Sequence, residues 1–132
     1  MKYIEKLRVS GLRPTKQRLQ ICEVLFNSNR TFHFTISELA LKIKDKINSK
    51  ISLATIYNTV HAFEKKGYLK QIHINSNQTY FDTNVSDHHH FYDLKDGKLI
   101  DLENSDVGPI NIKRKINGKK IKSIEVLVNL ED

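Results

Sequence analysis

The sequence predicts an α+β protein of two domains, residues 1–83 and 84–132. Three observations carry that prediction. Apolar residues recur at helical spacing behind cap residues three times before Gly67, apolar and polar residues then alternate with the period of strands, and the charge balance changes at the junction. Residues 1–83 carry 14 Lys+Arg against 6 Asp+Glu, whereas residues 84–132 carry 8 against 9. At 132 residues and 39% hydrophobic, the chain is long enough to fold around its own core. Its longest apolar runs, such as Val24-Leu25-Phe26, fall far short of the ~20 residues a bilayer requires, and its opening residues lack the apolar core of a secretion signal. A single cysteine, Cys22, excludes an internal disulfide and an all-thiolate zinc site. A cytoplasmic protein is the expectation.

The first predicted helix follows Pro14, with Thr15 as its cap and Leu19, Cys22, Leu25 and Phe26 on one face. Cys22 therefore reads as a buried core thiol. The second helix opens on Thr35-Ile36-Ser37-Glu38, a capping box in which each polar side chain satisfies the other residue's backbone N–H. Phe34 is placed to staple onto Leu39, and Ile43 and Ile47 continue the stripe. A third helix begins at Ser52, buries Leu53, Ile56, Val60 and Phe63, and ends with Lys65 and Lys66 in its last turn and Gly67 at its C-cap. Leu69 to Ile74 then alternates, Asn75-Ser76-Asn77 supplies turn residues, and Thr79-Tyr80-Phe81 returns as a strand, giving a β-hairpin.

The face of the third helix opposite its apolar stripe displays Ser52, Thr55, Tyr57, Asn58, Thr59 and His61, without an acidic group. Hydroxyls, amides and rings read phosphate oxygens and base edges, whereas carboxylates repel the phosphate backbone. Helix, helix, polar-faced helix and hairpin in that order, within a basic domain, is the arrangement of a winged-helix DNA-binding domain with the hairpin as wing. His61 and His73 then fall on the DNA face and the wing. An ordinary solvated polar surface is the bland alternative.

In the second domain the pattern gives a strand from His88 to Leu94, a Lys95-Asp96-Gly97 turn, a strand from Lys98 to Leu102, a break at Gly108-Pro109 and a strand from Ile121 to Leu130. Ile110 to Lys120 reads as a short helix or a loop, because Asn111, Asn117 and Gly118 weaken a helix, and the basic cluster Lys113 to Lys122 as exposed helix or turn. So small a sheet is marginal alone. A small α/β dimerisation domain, burying its open face against a second copy, is therefore expected.

On the strand His88-His89-His90, His88 and His90 share one face and His89 takes the other. Asp82, Asp87 and Asp93 add hard oxygen donors to the imidazoles, a mixture suited to zinc, iron or manganese. His33 stands just before the capping-box helix, where it can reach the cluster from the other domain. An inert surface patch is the competing reading.

These residues resemble the ferric uptake regulator family. The resemblance rests on Gly11-Leu12-Arg13-Pro14-Thr15-Lys16-Gln17-Arg18, on Ser52 to Val60 (Ser-Leu-Ala-Thr-Ile-Tyr-Asn-Thr-Val) and on the histidine cluster, and it covers nearly the whole chain. Tyr80-Phe81-Asp82-Thr83 followed by Asp87 to Tyr92 looks most like its iron response regulator branch. The resemblance implies a regulatory metal site between the domains at His33, Asp82, His88 and His90. A second metal or haem site would draw on Asp87, His88, His89 and His90. Family members often hold structural zinc with two Cys-x-x-Cys pairs, and here Asp93 and Asp96 stand where the first pair would fall, so no such zinc is expected. The chain also lacks the late histidine and cysteine ligands of longer relatives. Haem sensing by the histidines is implied by the branch, but a Cys-Pro haem motif is absent because Glu23 follows Cys22.

The expected function is a homodimeric, metal- or haem-responsive transcriptional regulator of iron homeostasis, a repressor in the manner of the family, on AT-rich inverted-repeat operators. Arg13, Lys16, Arg18, Ser52, Thr55, Tyr57, Asn58 and Thr59 would touch the duplex. A relative sensing manganese, zinc or peroxide, and a haem or metal carrier without operator specificity, remain as alternatives. A metal-dependent hydrolase could also own a His/Asp cluster, but no His-Glu-x-x-His, nucleophile elbow or phosphate loop supports an enzyme.

Overall fold

The computed structural model describes residues 2–75 and 77–132; Met1 and Ser76 fall outside the described residues, and with Ser76 the middle of the expected hairpin turn. The chain divides into two compact units, Met1–Val85 and Ser86–Asp132. No helix among the described residues is long and apolar enough to cross a membrane.

The first unit opens with α1 (Ile4–Val9), which the sequence reading did not find, and continues with α2 (Lys16–Phe26), β1 (His33–Phe34), α3 (Ile36–Ile47), α4 (Leu53–Lys65), β2 (Lys70–Asn75) and β3 (Gln78–Asp82). Each main helix starts where a side chain can satisfy an orphan N–H. The Thr15 hydroxyl accepts from Arg18 N–H, and the Ser52 hydroxyl accepts from Thr55 N–H, both at 3.2 Å. Thr35 and Glu38 close the capping box in both directions, at 2.9 and 3.2 Å. Asn48, at φ 55, and Gly67, at φ 83, take the left-handed conformation that ends α3 and α4. Leu7 from α1, Ile21, Cys22 and Leu25 from α2, Leu39 and Ile43 from α3, and Ile56, Val60 and Phe63 from α4 form one core, closed by Phe34, Leu69 and Phe81. The sheet order is β1-β3-β2, antiparallel throughout.

Two expectations on α4 are corrected. Leu53 is 56% exposed, because a side chain in a helix's first turn leans back past the helix start, where Ile51 already fills the core. Thr59 is fully buried: it lies on the helical arc between Ile56 and Phe63, and its hydroxyl donates to the Thr55 carbonyl at 2.7 Å.

The second unit contains β4 (His89–Asp93), β5 (Leu99–Leu102), a 3-10 turn (Asn104–Asp106) and β6 (Leu127–Leu130), in the order β5-β4-β6. The helices of this α+β chain thus belong to the first unit, and the second contributes only that turn. β4 pairs antiparallel with β5 and parallel with β6. The strand expected over Ile121 to Leu130 is only its last four residues, and Ile110 to Lys120 takes the loop alternative with an Asn117-Gly118 turn. Ile121 finds no apolar face to cover within its own unit and stays 58% exposed.

Candidate metal centre and nucleic-acid interface

The β4–β5 hairpin builds the metal-ligating cluster. Its turn is fixed by Asp93, whose carboxylate accepts the N–H groups of Lys95 and Asp96, and by Asp96, which accepts that of Lys98. Asp93 and Asp96, the residues in the place of thiolates, are thereby occupied as turn formers. The turn sets the register that places Asp101 opposite His90. Asp101 Oδ1 then lies 3.1 Å from His90 Nε2 and 3.7 Å from His88 Nε2, and the two rings are 4.4 Å apart. Both histidines are buried, while Asp101 is half exposed.

The tautomer of His88 follows from its neighbour. Its Nδ1 is 2.8 Å from the Ser86 carbonyl oxygen, which can only accept, so Nδ1 carries the proton and Nε2 presents its lone pair toward Asp101. That carbonyl–imidazole pairing is the usual support of a metal-bound histidine. His88, His90 and Asp101 offer one donor atom each, all within 4.8 Å of one another. Two borderline nitrogens and one hard oxygen fit manganese, iron or zinc.

Asp101 was missed by sequence reasoning, although the position of the Lys95-Asp96-Gly97 turn would have found it by counting the register back to His90. His89 behaves differently from its neighbours. The Val126 N–H donates to its Nδ1 at 2.9 Å, so the neutral ring carries its proton on Nε2 and neither nitrogen has a lone pair for a metal. Asp87 is exposed and outside the cluster. Through that hydrogen bond His89 ties β4 to Val126, the residue before β6. In the first unit Asp82 is buried, accepts the Asn84 N–H at 2.9 Å and stands directly across from His33, whose half-buried ring meets Tyr80 edge-on. Cys22 is no ligand: burial pushes its thiol up to about 12.

On α4, Ser52, Tyr57 and Asn58 are exposed and Thr55 is half-buried. The Tyr57 ring stacks on His61, centroids 5.6 Å apart and planes within 8°. Together with Thr35 to Ser37 and the hairpin residues Gln71 and Asn77 to Thr79, this pair lines a groove of about 430 Å³. Arg13 and Lys16 are exposed, whereas one Arg18 guanidinium N–H is engaged by the Arg13 carbonyl at 2.9 Å. His73 is exposed on the hairpin.

The sequence profile of the ferric uptake regulator family matches residues 9–129. The chain belongs to that family. Among its relatives, the peroxide-responsive repressor PerR of Staphylococcus epidermidis is 35% identical over 99 residues, covering 75% of this chain and 64% of that protein. The peroxide operon regulator of Bacillus subtilis is 33% identical, covering 75% and 66%, and the ferric uptake regulation protein of Rhizobium leguminosarum 32%, covering 74% and 67%. The chain thus spans about two thirds of the length of these relatives. Of the solved structures, the Vibrio cholerae ferric uptake regulator matches with a TM-score of 0.72 at 21% identity, covering 99% of this chain and 100% of that one. The Pseudomonas aeruginosa ferric uptake regulator with manganese matches at 0.70 and 17%, covering 100% and 98%, and a zinc-bound manganese uptake regulator at 0.59 and 25%, covering 99% of each. The family fold accounts for both units of the chain.

Proposed function

We propose that this family member is a homodimeric transcriptional regulator, not an enzyme, whose affinity for duplex DNA is set by a divalent transition metal bound at His88, His90 and Asp101, with His33 and Asp82 as further ligands. The observation that carries the reading is the convergence of two buried imidazoles and a carboxylate on one point, with His88 held in the ligating tautomer. A bound ion would supply a fixed positive charge there and accept a lone pair from each of these groups. The chain's own residues do the rest: Ser86 orients His88, and Asp93 and Asp96 hold the hairpin that presents Asp101.

The DNA reading is supported by the basic first unit and the acid-free exposed face of α4. Arg13, Lys16, Arg18, Ser52, Thr55, Tyr57 and Asn58 make the contacts. Thr59 has no surface to offer, and its proposed role is internal. Two copies span an AT-rich inverted repeat. Metal alters DNA affinity only as far as it binds the DNA-competent state more tightly, and about 1.4 kcal/mol of that preference gives a tenfold change. The donor set suits iron(II) and manganese(II) alike, and the relatives include both peroxide-responsive and ferric uptake regulators.

Selection of binding sequences from a random duplex pool, with and without manganese(II), iron(II) or zinc(II), tests the reading. Enrichment of an inverted repeat that depends on metal, and on His88 and His90, is expected. Haem and hydrogen peroxide are added to the loaded complex to identify the release signal. If no sequence is enriched under any metal, the regulator reading fails.

A further inference from the structure

The second unit has a segment that neither its sheet nor its metal cluster uses. From Gly108 to Ser123 every residue is exposed, and none belongs to a strand. The segment reverses at Asn117-Gly118, where Gly118 takes φ 75 and the Lys119 N–H donates to the Ile116 carbonyl at 3.1 Å. Its two limbs enclose a cavity of about 540 Å³ lined by Ile112, Ile116 and Ile121 and by cations of both limbs. Lys113 to Lys122 holds six Lys/Arg and no acidic residue, so the unit with near-zero net charge concentrates its positive charge in one turn.

That much like charge on one exposed arm attracts a polyanion. A second copy of the chain is the weaker candidate, for two reasons. Subunit interfaces deplete Lys at their cores. Four of the unit's nine acidic residues are also committed locally: Asp93 and Asp96 to the hairpin turn, Asp106 to the Glu103 N–H, and Asp101 to the histidines. We propose that residues 110–123 form a second contact with duplex DNA, the six cations lying along phosphates on either side of a minor groove and Ile116, 68% exposed at the turn, resting on its apolar sugar walls. The inference rests on the DNA-binding reading of the first unit and adds a sequence-independent contact to it.

The test uses the full chain and two triple variants, Lys113→Gln/Arg114→Gln/Lys115→Gln and Lys119→Gln/Lys120→Gln/Lys122→Gln, in titrations of specific and random duplexes from low to high salt. Each variant should lower the salt slope by roughly 2 to 3, at about 0.9 per lost phosphate contact, and weaken both duplexes by the same factor, at least about tenfold in low salt. Lysine acetylation mapped by mass spectrometry on the unmodified protein should show Lys119 and Lys120 protected by duplex. An unchanged slope together with unprotected lysines overturns the proposal. So does protection that needs only high protein concentration, which would make the arm a subunit contact, or only anionic vesicles of phosphatidylglycerol. Tyr57→Ala separates this failure from that of the parent reading: if it abolishes sequence preference while the arm variants bind as the unmodified protein does, only the arm proposal falls.

Discussion

Replacing Asp101 by Asn is the sharpest perturbation of the candidate metal centre. The side chain keeps its shape and loses its charge. Its Oδ1 is the point shared by the two histidines, 3.1 Å from His90 Nε2 and 3.7 Å from His88 Nε2, so the change replaces the hairpin cluster's one anionic donor with a neutral, weaker amide. Groups that merely orient a ligand are worth about 10- to 100-fold in metal affinity, and a direct donor should exceed that range. A loss of at least about 100-fold, or ~2.7 kcal/mol, is therefore expected. Stability should move little, within about 0.5 kcal/mol, because the side chain is 45% exposed and off the core. Competition titration against a chromophoric chelator with manganese(II) and zinc(II) measures the loss, and thermal unfolding of the metal-free protein supplies the control. Asp87→Asn, exposed and outside the cluster, should bind metal as the unmodified protein does. Metal affinity within about threefold of normal for Asp101→Asn, alongside a large loss for His90→Ala, would refute the assignment of Asp101 as a ligand.

His89→Ala should behave as a structural change. It strips the Val126 N–H of its acceptor, costing about 1 to 3 kcal/mol in denaturant unfolding, while metal affinity is spared. Tyr57→Ala should cost about 1 to 3 kcal/mol on a selected operator and almost nothing on random duplex, measured by fluorescence anisotropy. Thr59→Val removes a hydroxyl already spent on the Thr55 carbonyl, so operator affinity should be unchanged; a specific loss as large as that of Tyr57→Ala would show that Thr59 faces DNA after all. Cys22, with its thiol pushed up to about 12 by burial, stays protonated in the folded state where an unfolded thiol ionises. Stability should thus fall as pH rises from about 8.5 toward 12, and the Cys22→Ser slope in alkaline denaturation should be shallower by that one proton. Alkylation of Cys22 at pH 8 as fast as in denaturant would contradict its burial.

Local chemistry made most of the first unit legible. A capping box, a Ser or Thr cap and a left-handed glycine are properties of four to six consecutive residues; α2, α3 and α4 begin where such caps stand, and α4 ends at Gly67. Legibility failed where burial depends on what lies beyond the element. α1 is six residues long, and the Tyr3–Leu7 pair that anchors it to the core is too short a periodic signal to read. Leu53 and Thr59 exchanged roles because helical spacing orders residues around an axis but does not say where neighbouring helices stop covering it. Thr59 could also pass for a surface residue because an i−4 hydrogen bond hides its polarity as completely as water would.

The candidate site failed to be legible in a different way. His88 and His90 are two apart in sequence, and strand alternation was enough to pair them. Asp101 is eleven positions from His90, and only the hairpin register joins the two. That register is itself written in polar residues, one of which, Asp93, the sequence reading counts among the oxygen donors: Asp93 accepts from Lys95 and Asp96, and Asp96 accepts from Lys98. An aspartate near a histidine cluster thus has two incompatible uses, as a donor to the ion or as the clamp on the turn that delivers the donor. A carboxylate inside the tight turn, accepting that turn's own N–H groups, is held there, whereas one that sits across a ladder from an imidazole, as Asp101 does from His90 and Asp82 from His33, is placed to ligate. By that criterion Asp93 and Asp96 belong to the turn, and Asp101 to the site.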